Sequence, residues 1–155
     1  VSVTVLGVGN TVMGDDGVGP ALLQRLVTDG LDPRVTCVDG GTGGLALLPD
    51  VQEARRLLVL DAVRGATPGA VVHLTGDQLP RLLGGALSPH QVGLLDLLSA
   101  ARLLGTEPER VEVVGVVPGS VAPRVGLSPA VAAALPAAAG AARAVLRGWL
   151  AGGQA

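Results

Sequence analysis

The stretch from Val3 to Gly19, VTVLGVGNTVMGDDGVG, restricts the possible folds more than any other part of the chain. Its apolar opening, Val3, Val5, Leu6 and Val8, is short, β-branched and stopped by glycines, which predicts a buried strand. Gly7 and Gly9 allow a sharp turn or a close backbone approach. Asn10 tolerates unusual dihedrals and can bond its own backbone. Two adjacent carboxylates, Asp15 and Asp16, come next, followed by Gly17 and Gly19. From about Asp16 to Thr28 an amphipathic helix is expected, with Val18, Leu22, Leu23 and Leu26 on one face. Two acids therefore sit in a strand-to-helix loop, the place where α/β proteins put their ligand sites.

The glycines invite a dinucleotide-binding reading. That fingerprint needs GxGxxG running straight into a helix, and Val12 stands where the third glycine belongs. An acid there would also repel the phosphate that a helix N-terminus attracts. The nucleotide reading is disfavoured on both grounds. A purely structural alternative remains, in which Asp15 or Asp16 only caps the helix.

A chain of 155 residues predicts one domain with a sizeable core. Its composition is 48% hydrophobic, with a mean hydropathy of +0.54. Glycines, prolines and arginines interrupt every apolar run before about 20 residues, so a soluble, core-rich protein is expected and no membrane span. No basic segment precedes an apolar one at the start, so no signal peptide is expected. The single cysteine, Cys37, excludes an internal disulfide and fits a reducing, cytoplasmic compartment. A net charge of −2 gives no electrostatic footprint for nucleic acid, and Trp149 is the only aromatic side chain available for stacking.

Further along, Val35 to Val38 is expected as a strand, followed by the acidic loop Asp39-Gly40-Gly41-Thr42-Gly43-Gly44. A short helix is expected within Leu45 to Val51, ending near Pro49. The uninterrupted run Leu57 to Leu60 predicts a central parallel strand that ends in Asp61. Ala70 to Leu74 alternates weakly, as an antiparallel edge strand would. Ser88-Pro89 is a helix start, with Ser at the cap and Pro in the first turn. His90 falls in that turn, and the helix is expected to stop at Gly105. Val111 to Val117 is the last strand. Ser128-Pro129 opens a long alanine-rich helix to about Leu150, which Pro136 is expected to kink or divide. Residues 1–150 are read as one domain and 151–155 as a frayed tail.

The alternation of strands and helices predicts a three-layer α/β domain with a mostly parallel sheet. Three strands then end near an acid: the Asp15–Asp16 pair, Asp39 and Asp61. In a parallel sheet these acids share the carboxyl edge, and His90 could complete the set. Taken singly, Asp39 and Asp61 also suit turns, and His90 suits a helix-terminal surface position. Taken together, carboxylates and an imidazole suit a borderline divalent metal such as zinc or nickel, with coordination positions left open. His73 is expected at the surface without a partner. Cys37 is expected as a small buried core residue.

Five segments resemble the hydrogenase maturation endopeptidases, which trim the C-terminus of nickel–iron hydrogenase large subunits. They are GVGNTVMGDDGVG (Gly7 to Gly19), DGGTGG (Asp39 to Gly44), LVLDAV (Leu58 to Val63), SPHQVGLLDLLSA (Ser88 to Ala100) and VVGVVPGSVAPRVGLSPAV (Val113 to Val131). The resemblance implies a twisted five-stranded sheet between helices. It implies that Asp16, Asp61 and His90 bind metal, with Asp16 standing where some members carry Glu. It implies a role for Asp39 in cleavage or in selecting nickel-loaded substrate. The expected partner is a hydrogenase large-subunit precursor that presents its own nickel, with no tightly bound cofactor in the protease itself. The rival expectation on the same scaffold is a non-catalytic, nickel-dependent binding module or chaperone for that precursor.

Overall fold

The computed structural model describes residues 2–76, 78, 79 and 89–152; at positions 89, 90, 92 and 152 it describes the backbone path only. The strands are β1 (Val3–Val8), β2 (Val35–Gly41), β3 (Arg56–Ala62), β4 (Val71–Leu74) and β5 (Arg110–Val116). The helices are α1 (Val18–Asp29), α2 (Leu48–Glu53), α3 (Pro89–Leu103) and α4 (Pro129–Gly152). The strands form one five-stranded sheet in the order β2-β1-β3-β5-β4. All neighbours are parallel except β4, which runs antiparallel to β5 at the edge.

Strand alternation divides the apolar residues between two cores. Val3, Val5, Leu58, Leu60, Val114 and Val116 face α1 and α4, meeting Leu22, Leu26, Ala138, Ala142 and Trp149. Leu6, Val8, Leu57, Val59 and Val113 face the opposite way, onto Val51 of α2 and Leu94, Leu97 and Ala101 of α3. The central strands β1 and β3 are thus covered on both faces, which is why they read as continuous apolar runs. Each fully buried leucine or valine contributes about 1.5–3 kcal/mol.

The front of this arrangement depends on backbone proximity. A Cβ on Gly19 would lie 2.2 Å from the Val8 carbonyl oxygen and 2.3 Å from that of Leu60. The first turn of α1 therefore rests directly on the carboxyl ends of β1 and β3. Gly9 has a φ of 142°, and a Cβ there would lie 2.0 Å from the Asp16 carbonyl oxygen.

Several expectations need correction. The acid pair lies in a 3-10 turn, Gly14–Gly17, and α1 begins only at Val18. β2 runs on through the acidic stretch to Gly41, because the Gly9 amide continues the ladder to the Gly41 carbonyl. Pro49 does not end a helix; it occupies the first turn of α2, where its missing N–H costs no helical bond. α4 passes Pro136 without dividing, its inward side held by Ala134, Ala138 and Ala139. It continues past residue 150 to Gly152, so residues 151 and 152 are helical rather than frayed; 153–155 lie outside the described residues. Pro129–Ala151 has the length and mean hydropathy to cross a membrane, with Arg143 and Arg147 interrupting its apolar run as expected. One face of that helix packs on the sheet, through Val131, Ala142, Leu146 and Trp149. Cys37 is exposed rather than buried, because β2 is an outer strand that α1 only partly covers. Its burial is still enough to push the thiol pKa up. His73 is exposed as expected, but it has a partner in Glu112.

A Gly19→Ala substitution is expected to destabilise the protein by about 3 kcal/mol or more, because backbone rather than a mobile side chain must yield. Urea denaturation would measure the loss.

Candidate active site

The turn at Gly14–Gly17 turns its two carboxylates to different tasks. Asp15 is fully buried and accepts four hydrogen bonds. Its Oδ2 takes the Gly119 amide at 2.8 Å, the Ser120 amide at 3.0 Å and the Ser128 hydroxyl at 2.7 Å. Its Oδ1 takes the Ser128 amide at 2.6 Å. Burial pushes the Asp15 carboxyl up, but the bonds from Ser128, Ser120 and Gly119 outweigh it and hold the pKa below the ordinary carboxylate value. Asp15 thus ties the glycine loop to the segment between β5 and α4. Backbone bonds reinforce the tie, from the Gly14 amide to the Arg124 carbonyl at 2.8 Å and from the Arg124 amide to the Val12 carbonyl at 3.0 Å.

Asp16 is 7% exposed, and its Oδ2 accepts the Asn10 amide at 3.0 Å. Asn10 holds the loop in turn, with its Oδ1 accepting the Val12 amide at 3.1 Å. Asp61 is the last residue but one of β3 and is 1% exposed. Its Oδ1 accepts the Ala62 amide at 2.7 Å. The buried Gln91 side-chain amide donates to the Ala62 carbonyl at 2.8 Å and reaches Asp61 Oδ2 at 3.4 Å. The first turn of α3 therefore sits against the end of β3.

The structure thus brings Asp16 and Asp61 to the carboxyl edge of β1 and β3. His90 lies in the first turn of α3 beside Gln91; its side chain lies outside the described residues. Asp39 stands at the same edge but on the outer strand, and it is exposed. It is in register with Gly7, and Gly7 with Leu60, so its side chain points to the face opposite that of Asp61. Among the described residues no group of three or more His, Cys, Asp or Glu is placed to hold a metal ion. Gln91, a neutral amide beside the more conspicuous His90, carries no signal in the sequence for its contacts with Ala62 and Asp61. Asp15 was seen, but its roles as cap and as ligand could not be separated without its partners about 104–113 residues away.

The model of the hydrogenase maturation protease family matches residues 20–144. The chain belongs to that family. The match begins just after the Asp15–Asp16 turn. The hydrogenase 2 maturation protease of Escherichia coli is 38% identical over 134 residues, covering 84% of this chain and 82% of that one. The hydrogenase expression/formation protein HupD of Rhodobacter capsulatus is 40% identical over 151 residues, covering 95% of this chain and 72% of its own. The structure of the hydrogenase maturating endopeptidase HybD from Escherichia coli superposes with a TM-score of 0.88 at 36% identity, over 95% of this chain and 93% of that one. The [NiFe] hydrogenase maturation protease HybD from Thermococcus kodakarensis superposes with a TM-score of 0.78 at 25% identity, over 94% and 99%. The twisted, mostly parallel sheet with helices on both faces is the family's fold. The maturation protease is a peptide-bond hydrolase, which sets aside the non-catalytic module.

Two outcomes follow for residues around the acids. Asp15→Asn is expected to cost about 1–3 kcal/mol, since a donor NH2 would face amide donors in a buried site. Asp15 is held below its unfolded pKa of about 3.9, so its contribution is complete above that pH and is lost as pH falls through the lower folded value. The variant should therefore lose less stability than the parent on acidification, as denaturation midpoints across that range would record. Gln91→Leu is expected to lower precursor cleavage about 10–100-fold with the fold intact, by releasing the carboxylate it orients. Rates of cleavage alongside circular dichroism would check it.

Proposed function

We propose that this maturation protease removes the C-terminal peptide of a nickel–iron hydrogenase large-subunit precursor after nickel insertion, gripping the inserted nickel through Asp16, Asp61 and His90. The observation that supports this reading is the pair of buried carboxylates, Asp16 and Asp61, held at one end of the sheet by separate hydrogen bonds. Two carboxylates and an imidazole are oxygen and nitrogen donors suited to nickel, and a set of three leaves positions for the substrate's own ligands. The nickel is part of the substrate. A weakly chelating set leaves it in the precursor, whereas a tight one would strip it.

Cleavage in this reading needs a water molecule directed at the scissile carbonyl. A metal-bound carbonyl is polarised for attack, and a carboxylate free of the metal can take the proton from water. Asp39, exposed on the outer strand, serves cleavage or the selection of nickel-loaded substrate. We read residues 1–150 as one endopeptidase domain with no tightly bound cofactor of its own. We place the reaction in the cytoplasm, with neither nucleic acid nor membrane as a partner.

Purified protein would be mixed with the precursor, with and without inserted nickel, and followed by intact mass. Loss of a C-terminal peptide from the nickel-loaded form alone is expected. Equal cleavage of both forms would remove the nickel grip. Asp16→Ala combined with His90→Ala is expected to lower processing of the loaded form at least about 100-fold. Wild-type processing by that variant would overturn the role given to the set.

A further inference from the structure

The opposite edge of the sheet carries a polar cleft of about 550 Å³, lined by Arg56, Arg110, Glu112 and His73 on the strands and by α4. The α4 wall is low there because it presents Ala141, Ala144 and Gly148, with Val145 and Trp149 beside them. Arg56 and Arg110 are register partners on the adjacent parallel strands β3 and β5, so their side chains leave the same face side by side. Like charges directly opposite on neighbouring strands repel one another.

The one carboxylate lining the cleft among the described residues is already engaged. Glu112 is buried, its Oε1 lies 2.6 Å from His73 Nε2, and its Oε2 accepts the Trp149 indole N–H at 3.1 Å. Arg110 approaches Oε2 only to 3.9 Å, an ion pair without a hydrogen bond. Arg56 spends one N–H on the Trp149 carbonyl at 2.6 Å. Arg110 alone of the two guanidinium groups approaches that carboxylate, which is occupied by other donors. The cleft keeps an excess of positive charge beside an apolar wall.

We infer that this cleft is a binding site for a carboxylate carried on a small aliphatic body, the chemistry of a free short-chain acid or of a peptide's C-terminal residue. The carboxylate lies between Arg56 and Arg110, where the planar forks of two guanidinium groups suit it. The aliphatic part covers Ala144 and Val145, over the buried Trp149. This site lies at the amino edge of the parallel strands, away from Asp16 and Asp61, and is independent of the function proposed above.

Trp149 is the chain's only tryptophan and lines the cleft, so its emission reports occupancy. The full chain would be titrated with isovalerate, with the peptide acetyl-Gly-Ala-Val as the free acid, and with the same peptide as its C-terminal amide. A saturable change in emission is expected with the free-acid peptide, or with isovalerate, and not with the amide. A response to isovalerate equal to that of the peptide identifies a free acid as the source; a response to the peptide alone identifies a chain terminus. Arg110→Gln, at an exposed strand start, is expected to weaken binding about tenfold or more, and Arg102→Gln, outside the cleft, to leave it unchanged. Arg56→Gln provides the second test should Arg110→Gln fail to fold by circular dichroism. The proposal is overturned by no saturable change with either acid, by equal binding of acid and amide, or by unchanged binding in the folded arginine variant.

Discussion

The contact between Gly19 and the carbonyl oxygens of Val8 and Leu60 is the constraint on which the front of this molecule rests. It places a helix backbone where any side chain would collide with two strands at once. Everything that follows in the chain inherits that position. The 3-10 turn before α1 is pressed against the strand ends, and Asp16 is carried to the same edge as Asp61. The preceding Gly9 matters for a related reason, since it lets the chain leave β1 beneath the carbonyl of Asp16. The glycines here serve close packing and direction rather than looseness.

Much of the architecture was legible in the sequence because it is written in periodicity. Buried parallel strands have to be apolar on both faces, and Leu57 to Leu60 said so plainly. The acids at strand ends could be placed at one edge once the strands were taken as parallel. Positions that depend on distant partners were less legible. Cys37 sits in an apolar-looking strand, yet its exposure depends on β2 being outermost, which strand order alone decides. His73 showed no partner because Glu112 lies 39 residues away on β5. Pro136 reads as a breaker from propensity, whereas packing against the sheet holds α4 through it.

The two edges of the sheet carry unlike chemistry. The carboxyl edge holds buried acids fixed by amide donors and by Gln91. The amino edge holds two arginines, a histidine and a buried glutamate under the end of α4. β5 joins them, since Glu112 lies near its beginning and the loop gripping Asp15 follows its end. This inner strand therefore links the two clusters, with Val113, Val114 and Val116 fully buried between them.

The Asp15 tie also has a bearing on when the carboxyl edge takes its final shape. Its partners at Ser128 lie 113 residues later in the chain. Closing a contact of that span has an entropy cost that must be met before the bond repays it. During synthesis the glycine loop emerges before its anchor. A chain that ends before Ser128 has the acids of its front edge but lacks the clasp that sets their loop, so the shape of that edge waits on a segment far downstream of the residues that form it.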